Sequence, residues 1–405
     1  MLCQFTFQNF NSYRDEAVFD FQADNLPEFP DSLIQSPGGS PLLPVSVVYG
    51  PNGGGKTNLL KALSCVISLV VRPILDLGKN RISEIFQQNI SYSPFAFDTR
   101  SSSKPTEFSL FFRTSANEFH YSVSLLKNEV QAESLYRKTI RGKRTATIFE
   151  RDGASIKLGS SINRSRINRN VNPKMPFLSF LAINYDLPVI TEAQSWFESC
   201  IIRSYANPQT EMGFLLPGGE GEDLSSRSLI AALNSMGIDV SGYRFDPEQN
   251  RLFLQHTIDD QIFELPFEAE SDGTRKIFSS LPVILIALSE GRLAIVDELD
   301  SKLHPILLRY LISLFTNPRI NKHGAQLLFT SHDMSTLNHR MFRRDEIWFA
   351  ALNQQHSSEL YSLVEIRTEN GQMINQTAAF DKQYLEGRYG ADPYLRAILD
   401  WEAIG

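Results

Sequence analysis

An α/β fold built on a phosphate-loop sheet is predicted by three short stretches of this 405-residue chain. In Val45–Leu60, VSVVYGPNGGGKTNLL, a β-branched apolar run feeds Gly50-x-x-x-x-Gly55-Lys56-Thr57 and then an apolar helix start. That is a phosphate-binding loop in its expected strand–loop–helix setting. Far downstream, Leu293–Glu298, LAIVDE, reads as a buried strand ending in two acids, and Gln326–Thr330, QLLFT, as another that delivers Ser331-His332-Asp333. Strands that are apolar throughout belong to sheets covered on both faces. Polar residues at their C-terminal ends lie where open α/β sheets bind ligands.

Each residue type in these stretches has a chemical reason. Gly50, Gly53, Gly54 and Gly55, with Asn52 among them and Asn58 after Thr57, leave the backbone free of Cβ atoms, so that successive N–H groups can curl around phosphate oxygens at the positive end of the next helix. Lys56 would reach the β- and γ-phosphates as a point charge, and Thr57 would place its hydroxyl on Mg²⁺. Asp297 is the matching candidate behind Mg²⁺, and Glu298 the candidate base that polarises the attacking water. His332, at the tip of a neighbouring strand, can sense the γ-phosphate or that water. Between loop and acids, Ser271-Asp272-Gly273-Thr274 precedes an apolar segment, Ile277–Leu288, and reads as a turn at a helix N-terminus, an anion site in its own right.

Taken in order, Gly50–Thr57, Ser271–Thr274, Leu293–Glu298, Asp300 and Ser331-His332 resemble the Walker A, signature, Walker B, D-loop and H-loop of ATP-binding-cassette (ABC) ATPases of the structural-maintenance and RecF type. More narrowly, Phe5–Phe19 (FTFQNFNSYRDEAVF), Lys104–Phe112 (KPTEFSLFF), Leu299–Pro305 (LDSKLHP) and Tyr384–Tyr394 (YLEGRYGADPY) look like the bacterial AAA-family ATPases related to the abortive-infection protein AbiLi and to RloA. The likeness covers both ends and the motifs, but is weak over Arg141–Gln249. It implies an ABC-ATPase-type head with a mixed phosphate-loop sheet, an antiparallel β-subdomain and a helical insert, using ATP and Mg²⁺. In such heads the signature turn serves a second protomer. Ser271 and Gly273 would therefore cover the γ-phosphate held at a partner's Lys56, Asp300 would bridge the dimer, and an isolated monomer would hydrolyse poorly. The glutamine that couples magnesium to the insert in that family has Gln87, Gln88 and Gln194 as candidates, none preceded by a strand.

Composition bounds the remaining classes. A chain that is 42% hydrophobic can bury a large core, and about 100–200 residues per domain allows two or three units. The net charge of −7 argues against tight non-specific binding of DNA or RNA, which runs on Lys and Arg. Cys3, Cys65 and Cys200 lie far apart, without metal spacing or an even disulfide set, as expected of buried thiols in a reducing cytosol. The N-terminus alternates apolar and polar residues and lacks the pattern of a secretory signal. The longest apolar stretches, Leu63–Val71 and Leu281–Leu288, fall short of the roughly 20 residues a membrane helix needs. A cytoplasmic protein without a membrane partner is expected.

Along the chain, residues 1–20 read as strands and 22–44 as a loop. Residues 56–72 read as the phosphate-loop helix, ended by Arg72-Pro73. Alternating runs from Glu107 to Leu158 predict an antiparallel sheet. Asn163–Lys174 is basic, a helical pattern surrounds Glu192–Ile202, and Asn207–Asp223 reads as a Gly- and Pro-rich connector. Helical residues 225–237 and strands from Tyr243 to Leu265 follow. This divides the chain into a first nucleotide-binding lobe (1–160), a helical insert (161–237) and a second lobe (238–405). No heptad run appears, so the long coiled coil of chromosome-structuring machines is absent from this sequence.

For function, the family likeness points to an anti-phage ATPase whose nucleotide-driven dimer, or higher assembly, controls a separately encoded effector, a nuclease or toxin, in abortive infection. A RecF-like repair ATPase that clamps DNA is the alternative, and the acidic balance weighs against it. A transporter cassette is disfavoured because the signature departs from Leu-Ser-Gly-Gly-Gln. The Toprim nuclease that follows the His motif in overcoming-lysogenisation enzymes needs Asp-x-Asp, which positions 333–405 lack.

Overall fold

The computed structural model describes residues 1–36, 39–77, 93–162, 166–204, 226–249, 251–368 and 370–391. Gln87, Gln88 and the connector Asn207–Asp223 lie outside them, as do the last residues of the Tyr384–Tyr394 segment.

The fold is α/β, with one long helix held between two sheets. One sheet is antiparallel. It is built from β1 (Leu2–Gln8), β2 (Ala17–Asp20), β4 (Thr106–Arg113), β5 (Asn117–Leu126), β6 (Glu129–Thr139), β7 (Thr145–Asp152) and β8 (Ser155–Leu158), in the order β2-β1-β4-β5-β6-β7-β8. Alternation along these strands turns Phe5, Phe7, Phe108, Leu110, Phe112, Phe119 and Tyr121 into the core, while Thr6, Ser109 and Ser122, paired in register, occupy the other face.

The second sheet carries the phosphate loop. Its order is β16-β15-β3-β14-β13-β9, formed by β3 (Val45–Tyr49), β9 (Ile201–Ser204), β13 (Leu293–Asp297), β14 (Gln326–Thr330), β15 (Ile347–Leu352) and β16 (Ser358–Ser362). All pairings are parallel except that of the edge strand β16 with β15. The apolar runs now have their explanation. Val48, Ile295, Leu328 and Trp348 pack toward one core, and Val45, Val47, Val296, Phe329 and Phe349 toward a second core on the opposite face.

Helix α1 (Lys56–Leu75) fills the first core between the sheets, joined by α2 (Phe177–Asn184) and α3 (Pro188–Ser199). It runs past Arg72-Pro73, where the sequence suggested a stop. A proline this close to a helix end costs one hydrogen bond, and Asp76 N–H closes the last turn on Arg72 O at 2.9 Å. Merged into 20 residues, α1 is the one helix among the described residues long and apolar enough to cross a membrane. Here it lies mostly buried between two sheets.

A second correction concerns Glu192–Ile202. The helix ends at Ser199, Cys200 is extended, and Ile201–Ser204 join β13 as an edge strand. The β-branched pair Ile201-Ile202 suits a pleat covered on both faces, Ile202 in the first core and Ile201 in the second, better than a helix surface. Residues 161–237 therefore supply a strand of the central sheet as well as α2, α3 and α4 (Ser226–Ser235).

On the second core, α5 (Asp272–Glu290) and α6 (Pro305–Thr316) cover the central sheet, and α7 (Phe380–Leu385) closes one end. A small antiparallel sheet of β10 (Gly242–Asp246), β11 (Arg251–Ile258) and β12 (Gln261–Pro266) buries Leu252 and Leu254 in the same core. The three cysteines are free and buried.

Candidate nucleotide-binding site

Backbone conformation makes the loop after β3. Gly50 has φ +147° and Gly55 φ +112°, values that side chains rarely tolerate. A Cβ on Gly50 or Gly54 would overlap the Ala350 carbonyl of β15, and one on Gly55 would overlap the Ser358 hydroxyl of β16. Gly53, with open space around it, and Asn52 stand at the exposed tip. The neighbouring strands thus press the loop into its cradle.

Lys56 opens α1 and is 6% exposed. Its Nζ donates to Gly50 O at 2.8 Å and Pro51 O at 3.0 Å, spanning the loop it belongs to. Burial lowers its pKa to about 8, against the pull of Asp297, Asp300 and Glu298. The next residue faces the acid pair, with Thr57 Oγ1 donating to Asp297 Oδ1 at 3.2 Å. Asn58 turns away and donates through Nδ2 to Ser12 Oγ at 2.8 Å.

The acid strand is held by groups the motif pattern did not single out. Thr330, the last residue of β14, donates to Asp297 Oδ1 at 2.7 Å and accepts Glu298 N–H at 2.8 Å. Glu298 itself adopts φ +55°, strained for a non-glycine residue. Its carbonyl accepts Lys276 Nζ at 2.9 Å. Both backbone groups of Glu298 are therefore clamped, which fixes the direction in which its side chain leaves the chain. The only prior signal for Thr330 was a hydroxyl ending an apolar run. Lys276, fully buried, followed the signature turn and gave no separate signal.

Asp300 Oδ2 accepts the backbone N–H of His332 at 2.8 Å and of Asp333 at 3.0 Å. Its Oδ1 is buried without a hydrogen-bond partner among the described residues. His332 is exposed at the strand tip. Partial desolvation, then the positive charge of Lys56, holds its imidazole below the ordinary histidine pKa.

The structure thus gathers Gly50–Thr57, Asp297, Glu298, Asp300 and His332 at the C-terminal ends of β3, β13 and β14. Ser271 and Gly273 are placed differently. Ser271 caps α5, its Oγ accepting Thr274 N–H at 3.1 Å, Asp272 pairs with Lys302 at 3.2 Å, and Gly273 lies against the Lys302 carbonyl. The signature turn is therefore fastened to the turn after the acid pair. Gln194 lies at the far end of α1, within hydrogen-bond reach of Val70 O and Glu198, about 20 Å along the helix from Lys56. It does not reach the phosphate loop.

Chemically, backbone amides at a helix N-terminus, a buried lysine and two adjacent oxygen ligands suit a polyanion carrying a hard divalent cation. Among the described residues no group of three or more His, Cys, Asp or Glu could hold a metal alone, so such a cation would complete its shell from phosphate and water.

A family model described as "AAA domain, putative AbiEii toxin, Type IV TA system" matches residues 45–338. No curated protein matches the chain. Among solved structures, the chain is similar to an Smc head bound to the C-winged helix domain of ScpA (14% identity, 89% of this chain and 98% of that one, TM-score 0.46). It is also similar to the SMC head domain from Thermotoga maritima (12%, 89% and 98%, TM-score 0.43). A third is an Smc head with an extended coiled coil bound to the C-terminal domain of ScpA derived from Pyrococcus furiosus (13%, 89% and 96%, TM-score 0.40).

Proposed function

Because the chain belongs to the AAA-domain family described as a putative AbiEii toxin of a type IV TA system, we propose that it binds ATP with Mg²⁺ and hydrolyses it to ADP and phosphate. The carrying observation is the meeting of Thr57 with Asp297 at 3.2 Å, beside a lysine buried inside a glycine cradle. The donor set fits the cofactor. Amides of Gly53–Thr57 and the Lys56 ammonium would hold the β- and γ-phosphates, and Thr57 with Asp297 would serve Mg²⁺. Bound Mg²⁺ would supply charge neutralisation on the transferring phosphoryl group. Glu298, with its backbone clamped on both sides, would orient the attacking water, and His332 would contact the γ-phosphate.

The cycle is proposed to run in a dimer. Ser271 and Gly273 are fastened to the Glu298–Lys302 turn of their own chain, so a second protomer's signature turn would close each site and Asp300 would bridge across. Residues 1–160 and 238–405 would form the two nucleotide-binding lobes around 161–237. In this reading, nucleotide-driven assembly in the bacterial cytoplasm controls a separately encoded effector during abortive infection. What supports it is the family description, which names a putative AbiEii toxin and a type IV TA system.

The test is a pull-down of the Glu298→Gln protein with ATP from the cells that encode it. A stoichiometric protein partner without DNA is expected. Bound DNA without a protein partner would replace this reading with the RecF-like clamp.

A further inference from the structure

The two flanks of the phosphate loop differ in chemistry. On one side stand Asp297, Glu298, Asp300 and His332. On the other, among the described residues, the loop itself touches neutral side chains, with the Arg14–Asp15 ion pair farther out beside Ser357. Gly55 abuts Ser358 and Ser12, Tyr13 Oη donates to Gly55 O at 3.3 Å, and Ser12 Oγ accepts from Asn58 Nδ2 at 2.8 Å and from Ser358 Oγ at 2.7 Å. A triphosphate with its γ end at the acids and magnesium would send its nucleoside over this second flank.

Two aromatic rings stand on the segments that build this flank. His356 lies in the turn between β15 and β16, two residues before Ser358. Phe97 follows a stretch tied to the same N-terminal loop, where Asn11 N–H donates to Ser93 O at 2.7 Å and Phe95 N–H to Asn9 Oδ1 at 3.0 Å. Phe95 is buried at 2% exposure and anchors the stretch, whereas Phe97 is 78% exposed, the most exposed large hydrophobic side chain among the described residues. Its ring centroid lies 5.8 Å from that of Phe95 and 6.3 Å from that of His356, the latter pair inclined at 51°. A phenylalanine left in water gains nothing from burial. A planar base laid on it would gain stacking contact.

We propose that Phe97, with His356 at its edge, is the platform for the purine base of the bound nucleotide. This assignment rests on the ATP reading and adds the residues that recognise the nucleoside. Ring stacking tolerates adenine and guanine alike, so the platform supplies affinity for a purine rather than a choice between the two.

The test is calorimetric titration of wild-type, Phe97→Ala and Phe97→Trp proteins with ATP and, separately, with inorganic tripolyphosphate, which carries the phosphates without a base. Phe97→Ala should weaken ATP by about tenfold and leave tripolyphosphate unchanged, while Phe97→Trp restores ATP binding and shows fluorescence quenching with ATP alone. Equal losses for both ligands would make Phe97 a support of the loop, and unchanged ATP binding in Phe97→Ala would remove it from the site. Either result overturns the platform while the wild type still binds ATP. Failure of the wild type to bind either ligand would overturn the ATP reading as well.

Discussion

Thr57 Oγ1 and Asp297 Oδ1 lie 3.2 Å apart, although 240 positions separate the two residues in the chain. Thr330 donates to the same Asp297 oxygen at 2.7 Å, so the carboxylate is oriented by two hydroxyls before any cation arrives. Replacing one oxygen by an amide keeps the shape and removes the charge. Asp297→Asn is expected to weaken magnesium-dependent ATP binding by about tenfold or more. Titration with and without a chelator checks this, since the two proteins should converge once magnesium is withdrawn.

Glu298→Gln keeps a side chain of the same size on a backbone already held by Thr330 and Lys276. ATP binding should persist and the dimer should become longer-lived. Turnover should fall by a factor of about 100 or more, the contribution of a positioned general base. A phosphate-release assay decides it, and a variant that still turns over at the wild-type rate removes Glu298 from catalysis.

The proposed composite sites make a sharper prediction. Lys56→Ala and Ser271→Arg should each be inactive alone. When they are mixed, half of the dimers pair one of each, and each such dimer has one intact site. Recovery of about a quarter of the wild-type hydrolysis is expected from this symmetry. No recovery on mixing would place the signature turn in its own protomer's site.

Gly50 and Gly53 separate packing from chemistry. At Gly50 an added methyl group would overlap the Ala350 carbonyl, whereas at Gly53 it would meet open space. Gly50→Ala should lower the melting temperature by several degrees, in line with a loss on the order of 2 kcal/mol. Gly53→Ala, strained only by its φ of +78°, should melt closer to wild type. Thermal unfolding of both variants without nucleotide gives the comparison.

Glu346 supplies a pH-dependent stability term. Complete burial raises its pKa from 4.5 to about 8. One oxygen accepts Arg343 N–H at 2.9 Å and the other has no hydrogen-bond partner among the described residues. The folded state therefore holds this proton where the unfolded chain has released it. Stability is fully present below about pH 4.5 and is lost as pH rises toward 8. Glu346→Gln should remove that slope and stabilise the protein at pH 8 by on the order of 2 kcal/mol. Denaturant midpoints at pH 5 and pH 8 test it, with unequal gains at the two values expected.

Much of the site was readable because its chemistry is local. Glycines at fixed offsets before Lys56-Thr57, and acids closing an apolar run at Asp297-Glu298, state their chemistry within a few residues. Alternation along β4–β8 likewise showed one face of an antiparallel sheet. The strand β9 was hidden because Ile201-Ile202 follow a helical pattern without a break. The passage of α1 through Pro73 was hidden because a proline near a helix end costs little.

By itself, then, the sequence determined where the motifs lie, the α/β class and which strands must be buried on both faces, since these follow from neighbouring residues and periodicity. Tertiary structure alone decided that Thr330 and Lys276 clamp Glu298, that Ala350 and Ser358 shape the glycine loop, and that Phe97 stands exposed near His356. Each of those relations joins side chains or backbone from distant strands. Which distant groups meet depends on sheet order and register, set by the packing of the whole core and invisible in any local window.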